Sequence, residues 1–136
     1  MSTGSPSRSY RAAVADDHQL LRSLLIEQLI ELGHTVVGEA ANGVEIVKIV
    51  EREHPDIAVI DVGLPLQDGW AAARQIAELS PTAVLLLSGM SLTNDPEHDA
   101  RLALAHAYLA KPYLMEELNE ALDQAVRRFQ RSVQAR

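Results

Sequence analysis

Short apolar runs, each closing on a polar residue, alternate along the chain with segments whose apolar positions recur at helical spacing. The first run predicts a strand over 10–15. A helix over about 18–32 follows, with Leu21, Leu25, Leu29 and Leu32 as its buried stripe and Gly33 as its stop. A second strand is predicted over 35–39, then a turn at Asn42-Gly43 and a helix over 44–53 with Ile46, Val47, Ile49 and Val50 inward. Pro55 interrupts before a third strand over 57–60. A loop, 62–68, leads to a helix over 69–79 with Ala73, Ile76 and Ala77 towards the sheet, and Pro81 precedes a fourth strand over 83–87. Asp95-Pro96-Glu97 reads as a helix start, a capping carboxylate followed by proline in the first turn, and that helix runs to about 105. It is Ala-rich and weakly amphipathic, so it is expected to be the least firmly held element. A fifth strand over 108–110 precedes a last helix striped by Leu118, Leu122, Ala125 and Phe129. Strands alternating with helices predict βαβ units, and the almost wholly apolar third and fourth strands predict a parallel sheet covered on both faces.

The 136 residues fit one domain, and a 47% hydrophobic fraction supplies one sizeable core. No apolar run approaches the roughly 18 residues of a membrane span, and the polar start has no signal segment behind it. A cytoplasmic location is the expectation. Cysteine is absent, which excludes disulfides and thiolate metal sites. A net charge of −7 disfavours nonspecific nucleic-acid binding, which needs clustered cations. Arg127, Arg128, Arg131 and Arg136 read as cations suited to a helix C-terminus.

Four polar sites follow strands: Asp16-Asp17, Asp61, Ser88 and Lys111-Pro112. Ligands of parallel α/β sheets bind outside the carboxyl ends of the strands. Convergence of these ends would join three carboxylates, a hydroxyl and an ammonium, a set suited to holding a divalent metal and receiving a phosphoryl group. Singly, each has an ordinary reading: Asp17 capping a helix with Asp16 solvated, Asp61 or Ser88 ending a strand, Lys111 on the surface. Four accidents of the right chemical type at four strand ends do not arise readily. After Asp61, Pro65 stiffens the loop and Asp68-Gly69 supplies a turn into the next helix.

On Asp16-Asp17, Asp61 with Pro65 and Asp68-Gly69, Ser88, Tyr108 and Lys111-Pro112, the chain resembles a response-regulator receiver domain of two-component signalling, of the chemotaxis-receiver type. The resemblance spans about 10–128, leaving 1–9 as a disordered leader and 129–136 as the end of the last helix and a short tail. Residues 14–22 most resemble receivers joined to helix-turn-helix output domains. The resemblance implies a flavodoxin-like α/β fold, a five-stranded parallel sheet in the order 2-1-3-4-5 with helices on both faces. It implies Asp61 as phosphoacceptor. Mg²⁺ would be held by Asp61 and Asp17, by Asp16 mostly through water, and by the Gly63 backbone carbonyl. Lys111 would pair with phosphoryl oxygens, across a cis Lys111–Pro112 peptide. Ser88 would be drawn towards the phosphoryl group and Tyr108 would follow inward. The surface of the Asp95 helix, fifth strand and last helix would then change for a partner.

A histidine kinase, a phosphotransfer protein or a small acyl phosphate would be the donor, and a downstream effector protein or output domain the recipient. The resemblance implies no nucleic-acid binding by this chain itself, no membrane, no enzyme activity beyond its own phosphoryl acceptance and loss, and room for a homodimer through the Asp95-helix face. Leu104 and Ala107 stand where the family usually carries glycines, which leaves a phosphorylation-independent interaction module as the alternative; the intact acids and Lys111 oppose it. An Mg²⁺-dependent aspartate hydrolase would need an acid where Gly63 stands, and no G-x-G-x-x-G follows the first strand for a dinucleotide. Gly63 and Gly89 leave the site open to water, so ready loss of phosphate is expected. His18, His34, His54, His98 and His106 lack metal-ligand spacing and are expected on the solvated surface, with Trp70 in packing. Too few residues follow Phe129 for an effector domain, so a stand-alone receiver is the expectation.

Overall fold

The computed structural model describes residues 9–89 and 104–134. In chain order the elements are β1 (Arg11–Ala15), α1 (Gln19–Glu31), β2 (Thr35–Ala40), α2 (Gly43–Glu53), β3 (Ile57–Asp61), α3 (Gly69–Leu79), β4 (Ala83–Ser88), β5 (Ala107–Ala110) and α4 (Met115–Gln134). The five strands form one sheet in the order β2-β1-β3-β4-β5, every pair parallel. This is the doubly wound, flavodoxin-like arrangement. The helix expected from Asp95, the leader over 1–8, His98 and Arg136 lie outside the described residues; Leu104, Ala105 and His106 form a turn and bend into β5 rather than a helix end.

Alternation along the central strands divides the core. Val14, Ile57, Val59, Leu85 and Leu87 face α1 and α4, packing on Leu25, Leu29, Leu118 and Leu122. Ala13, Ala15, Ala58, Ile60, Val84 and Leu86 face α2 and α3, packing on Ile46, Val50, Ala73 and Ile76. Each fully buried Leu or Ile contributes about 1.5–3 kcal/mol relative to exposure. A strand buried on both faces leaves no room for polar side chains until its end, which is why the chemistry begins where β1, β3 and β4 stop.

Two stripe assignments change. Leu21 is 44% exposed, because α1 turns its Leu25–Leu29 line to the sheet, with Ile26 and Leu32 packed beside it. Ala77 is exposed while Ala72 is buried, so the inward face of α3 sits slightly towards its N-terminus. Among the described residues no helix is long and apolar enough to cross a membrane.

Caps match local chemistry. Asn42 accepts from the Glu45 N–H at 2.8 Å and the Glu45 carboxylate accepts from the Ala41 N–H at 3.1 Å, a reciprocal arrangement at the start of α2. Asp68 accepts from the Ala71 N–H at 2.8 Å at the start of α3. α1 is capped by His18, whose Nδ1 accepts from the Leu21 N–H at 3.3 Å, and not by Asp17.

Two histidines expected on the surface are structural. His34 is 5% exposed, stacks on the Tyr10 ring and accepts the Tyr10 N–H at Nδ1 (3.0 Å), while the Tyr10 hydroxyl donates to Asp123 on α4. His106 accepts the Val84 N–H at 3.0 Å and meets Phe129 edge-on. Each ring terminates a backbone donor at the amino edge of the sheet, a role with no sequence spacing to announce it. Burial lowers both pKa values, with the Asp123 charge partly opposing this at His34. The unfolded chain therefore binds more protons than the fold below the ordinary histidine value of about 6.5, and stability falls as pH drops through that value towards the lowered ones. Urea unfolding between pH 7.5 and 5 is expected to show this loss. Replacing both residues by glutamine is expected to flatten the slope; an unchanged slope would remove the histidines as its source.

Candidate functional site

The order of the sheet reverses between β1 and β3, and the described acids gather at the carboxyl ends there. Asp16 follows β1 directly and is 3% exposed; Asp17 beside it is exposed. Asp61 is the last residue of β3 and half-buried. One oxygen from each of Asp16, Asp17 and Asp61 lies within 4.8 Å of the others. The Lys111 ammonium stands 3.6 Å from Asp16 Oδ2 and 3.7 Å from Asp61 Oδ1. Ser88, the last residue of β4, is 3% exposed, and its carbonyl accepts the Lys111 N–H at 2.8 Å, which holds the β5 end against the β4 end. The Lys111–Pro112 peptide is cis.

Asp16 is not solvated: Oδ1 accepts the His18 N–H at 2.9 Å, which fixes the carboxylate at the entrance to α1. Burial raises the pKa of Asp61, Lys111 opposes the rise, Asp16 adds to it, and a hydrogen bond from the Gly63 N–H lowers it. The net effect is a carboxylate that gains by acquiring a cation. The donor set is all oxygen and carboxylate-rich, the kind that suits Mg²⁺ rather than a soft metal, so these residues fit that ion. Among the described residues, a Cβ at Gly63 or at Gly89 would meet nothing within 4 Å, so no described side chain closes either position.

The loop after β3 is shaped from beneath. Gly69 seats the start of α3 on the phosphoacceptor candidate: a Cβ there would lie 2.7 Å from the Asp61 carbonyl oxygen and from Val62 Cα. Gly43, first residue of α2, lies under the same loop, where a Cβ would come within 1.8 Å of the Gln67 carbonyl oxygen. Between them Leu66 adopts φ 66°, and the Gln67 N–H donates to the Pro65 carbonyl at 2.7 Å, a tight turn that costs a non-glycine residue about 1–3 kcal/mol. Pro65 was legible as a stiffener; the turn at Leu66 was not.

Tyr108 in β5 is half-buried with its hydroxyl buried, and its ring stacks on Trp70 at 6.2 Å between centroids. Trp70 thus packs as expected, against a residue that sequence reasoning singled out for another reason. A cavity of about 270 Å³ opens between α1 and the loop after β5, lined by Leu21, Leu24, Gln28, Leu87 and Tyr113 and bounded also by Asp16 and Lys111. The Tyr113 hydroxyl donates to Gln28 at 2.9 Å, and burial, with the charge of Asp16, raises its pKa. Arg22, which sequence reasoning passed over, donates to the Asp16 carbonyl at 2.9 Å and to Glu39 at 2.8 Å.

Gly43→Ala is expected to displace the loop after β3 and weaken Mg²⁺ binding while α2 itself persists. Far-UV circular dichroism beside an Mg²⁺ titration checks this, and unchanged Mg²⁺ affinity would show that the loop tolerates the shift.

Residues 12–123 match the response regulator receiver domain family. The transcriptional regulatory protein PdtaR of Mycobacterium tuberculosis is 40% identical over 119 residues, covering 88% of this chain; the chain spans 58% of that relative's length. The receiver domain of the putative response regulator NarL from the same species superposes with a TM-score of 0.78 at 30% identity, covering 89% of this chain and 98% of that one. The receiver domain of the sensor histidine kinase PA1611 from Pseudomonas aeruginosa, whose structure has a magnesium ion coordinated in its active-site cleft, superposes at 0.76 with 26% identity, covering 88% and 98%. Sequence and topology agree over the same stretch of chain, and this protein belongs to the response regulator receiver domain family of two-component signalling.

Proposed function

We propose that this chain is a phosphorylatable switch that accepts a phosphoryl group on Asp61 from a phosphohistidine donor with Mg²⁺. The observation that carries the reading is the meeting of Asp16, Asp17, Asp61 and Lys111 at one end of the sheet, all within salt-bridge or shared-ligand reach. An Asp61 oxygen forms the new bond to phosphorus as the phosphorus–nitrogen bond of the donor breaks, the electron pair leaving with the imidazole. Asp17, Asp61 and the Gly63 carbonyl would hold Mg²⁺ directly and Asp16 mostly through water; the ion, when bound, supplies charge neutralisation at the phosphoryl oxygens. Lys111, released from its pairings with Asp16 and Asp61 at 3.6 and 3.7 Å, would take up charge on the phosphoryl oxygens.

Ser88, buried at the β4 end, is the hydroxyl that would turn towards the phosphoryl group. Tyr108 then responds as the switch residue. In this structure its ring stacks on Trp70, a contact that the proposed response would change as one population of Tyr108 positions gains over another. The changed surface would be β5, α4 and the residues expected to form the Asp95 helix, read by an effector protein or output domain. A homodimer through that helix belongs to the same proposal. Leu20, Leu21, Leu24 and Leu114 are exposed apolar side chains on α1 and the loop before α4, which supports a protein as phosphodonor rather than acyl phosphate alone. The receiver unit is taken as 10–128, with 129–136 as the end of α4 and a tail, and the setting as cytoplasmic.

Intact mass after acetyl phosphate treatment, with and without Mg²⁺ and beside Asp61→Ala, tests the chemistry. One phosphoryl adduct is expected, absent in the variant and without Mg²⁺; failure to take up either phosphoryl or beryllofluoride would leave the interaction module as the reading. Because burial and Asp16 raise the Asp61 pKa, the metal-free fold is least comfortable with Asp61 ionised, above its raised value. Asp61→Asn is therefore expected to raise metal-free stability at neutral pH by about 0.5–2 kcal/mol, read by urea unfolding; a loss of stability would contradict the electrostatic account. Gly63→Glu is expected to lengthen the phosphoryl lifetime severalfold by covering the open side of the site, and an unchanged lifetime would remove Gly63 from the control of water access.

A further inference from the structure

We propose that Arg22 is the positioning residue of the acid pair. The proposal rests on the receiver reading of the site and adds a residue to it. β1 ends at Ala15, and the Asp16 N–H still finds a strand partner, the Ala40 carbonyl at 3.1 Å. The Asp16 carbonyl turns instead to Arg22, whose Nη1 donates to it at 2.9 Å. That carbonyl belongs to the peptide joining Asp16 to Asp17, a planar unit whose two ends are the Cα atoms of both acids. Holding its oxygen fixes the backbone from which both side chains start.

Arg22 is itself anchored. Its Nε donates to Glu39 at 2.8 Å near the end of β2, and its side chain is only 16% exposed against 53% for Glu39. One planar guanidinium on α1 therefore ties the Asp16–Asp17 peptide, just after β1, to Glu39 of β2, with both bonds in its rigid fork. Lysine can reach one of these acceptors but cannot reproduce the fork. Groups that orient a metal's ligands from behind typically alter affinity on the order of 10–100-fold when lost.

A simple charge effect has the opposite sign. A cation close to the acids repels Mg²⁺, so if charge alone mattered its removal would tighten binding. The sign of the change in affinity decides between the two.

The test is Mg²⁺ titration of the full chain followed by the amide NMR shifts of Asp17 and Gly63, on wild type, Arg22→Met, Arg22→Lys and Glu39→Gln. Urea unfolding without Mg²⁺ is run beside it. Arg22→Met is expected to weaken Mg²⁺ binding about 10-fold, Arg22→Lys to fall between it and wild type, and Glu39→Gln to change affinity least, because the bond to the Asp16 carbonyl remains. Equal or tighter binding by Arg22→Met, or lowered stability with unchanged affinity, overturns the proposal. Should Arg22→Met not fold, Arg22→Lys decides, and wild-type affinity in that variant overturns it. Wild type that shows no Mg²⁺ binding at all refutes the proposed Mg²⁺-dependent phosphoacceptor function, which is a different result from a variant that binds as wild type does.

Discussion

Three carboxylates within 4.8 Å of one another repel, and the rest of this structure is arranged to hold them there. Coulomb repulsion between two like charges at that range is about 1 kcal/mol in bulk water and grows several-fold where water is partly excluded. The sheet supplies the restraint. β1 and β3 are adjacent, parallel and buried on both faces, so the residues following them cannot move apart without disturbing the core. Lys111 offsets part of the repulsion from the β5 end, at 3.6 and 3.7 Å from two of the acids. What is left is a site whose metal-free state is electrostatically unsatisfied, and that residual tension is what a bound cation would relieve.

The same economy shapes the loop after β3. It lies over the N-terminus of α2 at Gly43 and turns into α3 at Gly69, and at both places backbone approaches backbone too closely for a side chain. The turn at Leu66 is strained in the left-handed region and exposed. A loop held on two glycines and closed by a strained turn keeps Asp61 and Gly63 in register with the acids of β1. At the opposite edge of the sheet, His34 and His106 do unglamorous work, terminating backbone donors of the residue before β1 and of β4. One end of the sheet is tuned for charge and the other for closure.

Legibility differed by kind of interaction. Period-two and helical patterns placed the described strands and helices within a residue or two, since each central strand had to be apolar on both faces. The strand-end acids and Lys111 were legible because their types and positions were jointly improbable. Leu21 was misplaced because helical spacing fixes a stripe but not how far along the helix the sheet extends. His34 and His106 were misplaced because a histidine accepting a backbone N–H leaves no periodic trace. Arg22 was passed over for a similar reason: its partners, Asp16 just after β1 and Glu39 in β2, become neighbours only in the folded sheet.

By itself, the sequence determined the alternating α/β elements, the two-faced apolar strands and the chemical types at their ends, because periodicity and composition are local properties carried by the chain. Tertiary structure alone decided which of those ends meet, the distances between Lys111 and the acids, the burial that raises the Asp61 pKa, the pairing of Tyr108 with Trp70, and the anchoring of the Asp16–Asp17 peptide by Arg22. Those depend on strand order and on contacts between residues far apart in the chain, and no local pattern encodes a distance between them.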